Sequence, residues 1–463
     1  MPRIIALNAW RDPERVFTDL FGTESHSFWL DAGPDAEHGR SWMGAPSSTD
    51  AVSSFGPGDD VFGFLRARLA EAGDTGSDAR GTAAGPSPAL AGRPLGWVGW
   101  LGYEVGARTT GVALPLSPHP DAAFQFIDRA LEFDHGSRSV RVIALESAAD
   151  SAGFGAWLER VRSVVEADAE ADGDLPRAAR PAVAGGVSAR WRHDPAEYER
   201  LIDQCQRAIG RGDAYQLCLT NTITVDGRFD ALDTYGRLRA ASPSHHGGLL
   251  RFGDLALLSS SPEQFLQVSS SGHVITKPIK GTRPRGRSVV EDIDLRAELE
   301  ASDKEQAENL MIVDLMRNDL GRVAALGSVR VTSLLAVESY AQVHQLVSTV
   351  EAELDAGLTG IDAVEACFPA GSMTGAPKIS AMRILAGLEQ GPRGIYSGAF
   401  GFLGVDGSID LAMVIRSIVL TTDAATIGSG GGITALSIPA EEVEETRVKA
   451  RALLAVLGVH SAR

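Results

Sequence analysis

Cysteine is scarce in this chain, with only Cys205, Cys218 and Cys367 among 463 residues. So few, so far apart, exclude a disulfide framework and fit a reducing compartment. None has metal-site spacing, and none sits in the glycine-flanked turn of a cysteine nucleophile. Long apolar runs are missing as well. No stretch approaches the ~20 residues that span a bilayer. Met1 to Trp10 runs at once into Arg11, Asp12, Glu14 and Arg15, without the apolar core of a signal peptide. A cytoplasmic protein with no membrane partner is expected. Positive charge is outnumbered, and the formal net charge of -17 argues against nucleic acid as the main partner. A small anionic substrate stays open, because a local basic pocket or a bound cation can outweigh the global field. Internal repeats and nucleotide fingerprints are also lacking. Gly371 to Lys378 has neither the adjacent Gly-Lys pair of a phosphate loop nor the following Ser/Thr.

What is present is ordinary globular material, 44% hydrophobic and 22% charged, long enough for a sizeable core. Residues 73–94 are rich in Gly, Ala, Ser, Pro and Asp and read as a long mobile loop. Short β-like runs precede it, as in Ser27 to Asp31. Phe124 to Phe133 and Ser139 to Leu145 read as paired strands through Asp134-His135-Gly136, and Ala156 to Ala167 has helical spacing. Residues 166–190 read as a linker or exposed loop between an N-terminal region, 1–165, and a second region, 191–463. Asp194-Pro195 caps and starts a helix that runs to about Gly210. A strand follows from Gln216.

Several residues could carry chemistry. Val274 to Thr276 read as a short strand, so Lys280 in Pro278-Ile279-Lys280-Gly281-Thr282 would sit where a strand stops, beside a glycine that permits close backbone approach. A lysine there is either a solvated loop residue or, if neutral and aimed at substrate, a nucleophile. Glu263 precedes a turn at Ser270-Ser271-Gly272 that would fold it back toward Lys280. Asp303 to Leu320 reads as a helix with Glu305 and Glu308 on one face. Pro439 opens another, through Leu457, with Glu442 and Glu445 equally spaced. Such pairs either answer the helix dipole or hold Mg²⁺ through oxygen ligands and water. Gly428 to Gly432 is either a turn or an anion cradle of backbone N–H groups. Arg416 interrupts an apolar strand, Leu411 to Leu420, and needs a partner if buried.

Four co-linear segments make the pattern specific. Pro278 to Thr282, Ala307 to Leu315, Phe368 to Lys378 and Glu445-Thr446 together resemble the chorismate-utilising enzymes. The resemblance is dense from about Asp194 onward and looser before it. It implies an α+β fold, a large two-sheet antiparallel β-sandwich core with helices packed outside, and a site in a cleft between the layers. It further implies that Glu308 and Glu445 bind Mg²⁺ directly and that Glu305 and Glu442 act through metal-bound water. Arg416 and Tyr396 would hold a chorismate carboxylate. Gly430, Gly431, Gly432, Thr374 and Lys378 would complete the substrate site. Glu263 would be the general acid/base at C4.

Members that form anthranilate carry alanine in place of Lys280. The lysine therefore implies amination of chorismate at C4, through a lysine-bound intermediate, on the way to p-aminobenzoate and folate. Siblings that make anthranilate, isochorismate or salicylate are the alternative, and a non-catalytic binding protein on the same fold is a third reading. No cysteine suits glutamine hydrolysis, so a separate glutaminase subunit is expected to supply ammonia. Gln345 stands where the family usually has histidine, with His344 before it. Leu436 and Ala440 replace residues that are commonly acidic.

Overall fold

A computed structural model describes residues 2–74, 92–167, 188–340 and 343–459. Most of the expected loop at 73–94 and most of the expected linker at 166–190 lie outside the described residues. Two antiparallel sheets make the core, one of twelve strands and one of ten. Strands from both ends of the chain interleave in each. His26–Asp31 pairs with His246–Phe252 in the larger sheet, and Gly96–Leu101 pairs with Ala399–Gly404 in the smaller.

Period-two alternation explains why the sheets stack. Leu250 and Leu257 turn inward to meet Val98, Trp100, Phe400 and Phe402 of the opposite sheet. Their chain neighbours Leu249 and Leu258 turn outward, under the helices Pro13–Phe21, Phe154–Val165 and Ala231–Ala241. A one-residue slip would exchange the two faces, so the burial itself fixes register. Helices Val61–Asp74, Asp303–Leu320 and Gly360–Cys367 cover the outer face of the smaller sheet. The expected two-sheet architecture with helices outside is what forms.

Local signals set several elements. Asp194 caps Pro195–Gly210 by accepting from the Glu197 N–H at 2.9 Å, and Ser302 caps Asp303–Leu320. Gln264–Val268 and His273–Thr276 form the expected hairpin. Other readings need correction. The expected single strand from Leu411 to Leu420 is two, Ile409–Met413 in the smaller sheet and Ser417–Leu420 in the larger, with Arg416 between them at φ +50°. Phe124 to Phe133 likewise divides into Ala122–Ile127 and Arg129–Asp134, which belong to different sheets. A strand that changes sheets keeps its apolar composition through the crossing, so hydrophobicity alone cannot reveal the break.

Leu250 is fully buried in the layer between the sheets. Leu250→Ala is expected to lower stability by about 2–5 kcal/mol, read as the shift in denaturant midpoint at unchanged m-value. A loss below about 1 kcal/mol would place the residue outside a packed core.

Candidate active site

Two strands cross between the sheets side by side. Leu255–Ser261 leaves the larger sheet and continues as Gln264–Val268 in the smaller, while Ile409–Met413 runs the opposite way into Ser417–Leu420. The crossings are bonded to each other, Ser260 N–H to the Arg416 carbonyl at 3.1 Å and Met413 N–H to the Glu263 carbonyl at 3.0 Å. Glu263 and Arg416 therefore stand together where the sheets part. The gap is a cleft of about 510 Å³.

Lys280 lies in this cleft, but not at a strand end as expected. Ile279–Pro284 is itself a strand at one end of the smaller sheet, and its register against Val343–Glu353 slips between Lys280 and Thr282. Gly281 makes the slip at φ +74°, where an added Cβ would meet Leu299 at 2.7 Å and Glu305 at 3.0 Å. The bulge re-aims Lys280 into the cleft. Its Nζ is 3.6 Å from Glu308 Oε2. Burial pushes the lysine's pKa down, but Glu308, Glu263 and Glu445 together outweigh it and leave the pKa above its ordinary value. In the protein alone Lys280 is thus an ammonium. Glu263 behaves oppositely. Burial pushes its carboxyl up to about 7, against Lys280 and hydrogen bonds from the Ser372 side chain and the Ile279 backbone. That is the range of an acid that keeps its proton near neutrality.

All four predicted metal carboxylates reach this region from their two helices. Glu305, Glu308 and Glu445 line the cleft, and Glu442 is buried behind the glycine strand. Each faces a cation: Glu442 with Lys304 at 3.3 Å, Glu445 with Lys449 at 2.6 Å, Glu305 with Arg283 at 3.9 Å. Burial and the neighbouring Glu305 and Glu445 raise Glu308, against the pull of Lys280. Burial also pushes Glu445 up, but Lys449, Lys304 and Lys280 bring it below the ordinary value. Among the described residues no three His, Cys, Asp or Glu converge on one point. Mg²⁺ needs only one or two carboxylates and keeps several waters. Space for it exists because Gly431 and Gly432 lack side chains. A Cβ on Gly431 would come 3.0 Å from Glu442 and 3.7 Å from Glu445, and one on Gly432 would come 3.5 Å from Glu308. The donor set fits a hard cation.

The glycine cluster is neither a turn nor a run of N–H groups all aimed one way. Gly428 to Gly432 belong to the strand Ala424–Ile433, paired with Gln216–Asp226 along one edge. A strand's N–H groups alternate in direction, so only every second one is available on the other edge. Gly430 accepts from Lys449 Nζ at 2.8 Å. Gly428 is required by Tyr396, whose ring atoms would lie 2.0–2.5 Å from an added Cβ. Arg416 and Tyr396 both line the cleft, and burial pushes the arginine's pKa down and the tyrosine's up.

Two expected substrate residues point elsewhere. Lys378 Nζ bonds Asp319 at 2.6 Å and the Cys367 carbonyl at 2.9 Å, as a half-buried structural cation. Thr374 is fully buried and bonds the carbonyls of Ala370 and Gly371, while its neighbours Ser372 and Met373 line the cleft. Gln345 lines the cleft, whereas His344 is turned to Asp292 at 3.0 Å and Ser339 at 2.8 Å. Sequence reasoning missed Lys449 and Lys304. For Lys449 the signal was available, four residues after Glu445 on one helix.

Residues 50–455 match the sequence profile of the chorismate binding enzymes. The chain belongs to that family. It is 44% identical over 457 residues to an aminodeoxychorismate synthase of Streptomyces griseus, covering 96% of this chain and 63% of that one. It is 38% identical over 379 residues to anthranilate synthase component 1 of Streptomyces coelicolor, covering 80% and 74%. The chain thus spans less than two-thirds of the length of the aminodeoxychorismate synthase. The crystal structure of anthranilate synthase component I from Streptococcus pneumoniae superposes with a TM-score of 0.70 at 27% identity, over 98% of this chain and 92% of that one. This chorismate binding enzyme has no helix, among the described residues, long and apolar enough to cross a membrane.

Glu263 gives a pH-dependent stability test. Its folded pKa of about 7 lies above the ordinary 4.5, so the folded state holds its proton more tightly than the unfolded chain. That contribution is present below the unfolded value and is lost as pH rises through the folded one. Glu263→Gln is therefore expected to raise the thermal midpoint above pH 7 and leave it unchanged below the ordinary carboxylate range. A gain equal at all pH values would show that Glu263 is ionised throughout.

Proposed function

We propose that this chain aminates chorismate at C4, giving 4-amino-4-deoxychorismate for p-aminobenzoate and folate synthesis in the cytoplasm. The observation that carries the reading is Lys280, aimed by its bulge into a cleft that it shares with Glu263 and Arg416. Likeness to aminodeoxychorismate synthases over nearly the whole chain supports it.

Arg416 and Tyr396 bind the enolpyruvyl carboxylate of chorismate, with the guanidinium suited to a two-point hold. The Lys280 lone pair forms a bond to ring C2. The two ring double bonds shift, the C4–O bond breaks, and Glu263 gives its proton so that the hydroxyl leaves as water. Ammonia then forms the C4–N bond, the double bonds shift back, and the C2–N bond breaks to return the lysine. The nucleophile must be neutral, and in the protein alone the carboxylates hold it charged. Glu308 and Glu445 would hold Mg²⁺, with Glu305 and Glu442 acting through its waters. When bound, that ion supplies positive charge that anchors a substrate carboxylate and offsets the two glutamates. Lys304 and Lys449 occupy Glu442 and Glu445 otherwise.

Ammonia would come from a separate glutaminase subunit. All three cysteines are buried, and burial pushes Cys205 and Cys367 up to about 12. Such thiols are poor nucleophiles.

Incubation with chorismate, Mg²⁺ and ammonium is expected to give 4-amino-4-deoxychorismate by mass spectrometry, with no turnover when glutamine replaces ammonium. Glu263→Gln should lower kcat by about 10²–10⁴-fold. Anthranilate as the product would overturn the reading in favour of the sibling activity.

A further inference from the structure

A second cavity, of about 360 Å³, lies outside the chorismate cleft. Its walls are largely apolar, with Val61, Val105 and Leu114 among them, yet Glu104 and Asp121 line it too. Both are more than nine-tenths buried, at 6% and 7% exposure. Glu104 Oε1 accepts from the Arg393 backbone N–H at 2.8 Å. Glu104 Oε2 and Asp121 Oδ1 have no hydrogen-bond partner among the described residues. The other charges at this cavity are already committed. Arg108 pairs with Asp60 at 2.7 Å, and Asp59 accepts from Gly56 N–H at 2.7 Å.

We propose that Glu104 and Asp121 form a binding site for a small monovalent cation, and that its occupant is ammonium, the nitrogen co-substrate. Two buried carboxyls with unmet oxygens need a cation or protons to offset their desolvation. A divalent ion held by only two carboxylates keeps several waters, and the largely apolar walls of this cavity offer those waters few partners. Ammonium carries N–H donors for both unmet acceptors. Burial, with Asp121 adding to it, raises Glu104 to about 7, and burial with Asp59 raises Asp121; a bound cation would oppose both shifts.

Position favours ammonium over a purely structural ion. Glu104 is held by Arg393, whose guanidinium donates to the Met373 carbonyl at 2.6 Å and the Cys218 carbonyl at 2.8 Å. Met373 and Cys218 are wall residues of the chorismate cleft. One residue, Arg393, therefore links Glu104 to the wall of that cleft. An ammonium ion here that passes one proton to a Glu104 carboxylate becomes neutral ammonia next to the cleft that consumes it, leaving the carboxyl protonated.

The identity of the occupant rests on the amination proposed above, so the test has one arm independent of turnover. Crystals of the full chain soaked in thallium(I), a heavy substitute for ammonium and potassium, are expected to show an anomalous peak between Glu104 and Asp121. Ammonium should displace it, and Asp121→Asn and Glu104→Gln should each abolish it. No peak in the parent protein would show a pair of protonated carboxyls and overturn the site. In the second arm, Asp121→Asn is expected to raise the KM for ammonium about tenfold with the KM for chorismate held. A thallium peak without that change would mean a structural ion and overturn the ammonium assignment. Absence of amination in every variant, with the peak intact, would instead overturn the functional reading and leave the cation site standing.

Discussion

The paired crossing of two strands from one sheet to the other is the constraint on which the site depends. Sheets that part need their backbone groups satisfied at the seam. Here the crossing segments bond to each other, Ser260 to Arg416 and Met413 to Glu263. That arrangement places a carboxyl and a guanidinium at the mouth of one cleft without leaving the backbone orphaned. Arg416 holds a positive φ there, a conformation that costs a non-glycine residue of order 1–3 kcal/mol. The surrounding pairings hold it in place.

Charge in the cleft is balanced locally in spite of the chain's net -17. Glutamates from two helices meet Lys280, Lys304 and Lys449, so the protein alone carries its own counter-ions. Burial raises Glu263 far enough to keep a proton, whereas Lys280 among carboxylates keeps its charge. Desolvation thus leaves one carboxyl protonated, while the carboxylates around Lys280 outweigh desolvation and keep it charged until they are neutralised. Behind the site, Arg393 ties Glu389, Glu104 and the carbonyls of Met373 and Cys218 into one buried network that fixes the cleft wall.

Much of this was legible in the sequence where local chemistry is self-contained. The cap at Asp194, the hairpin after Glu263 and the spacing of Glu305 with Glu308 are short-range patterns, and they form as read. What could not be read depends on long-range pairing. The sheet change at Arg416 lies within an unbroken apolar run, and the bulge at Gly281 exists only relative to Val343–Glu353. Gly428 to Gly432 looked like a turn because its composition is that of one. It is a strand paired with Gln216–Asp226, and it needs glycine because Tyr396, Leu219 and Gln216 occupy the space that side chains would need. Lys378 stood within a recognisable segment, but its ammonium was claimed by the buried Asp319. The helix Pro13–Phe21 went unread although Asp12 and Pro13 carry the same cap signal as Asp194 and Pro195. The relatives' resemblance is looser in that region, and the local signal was sufficient without it.

The central claim is that Lys280 makes a bond to substrate and does not merely steer it. Exposure of the protein to chorismate and Mg²⁺ without ammonia, followed by digestion and mass spectrometry, tests this most directly. The account predicts an adduct of chorismate less water on the peptide containing Lys280, absent in Lys280→Ala and discharged when ammonium is added. A Lys280→Ala variant that forms 4-amino-4-deoxychorismate at the parent rate, with no adduct on the parent protein, would contradict it.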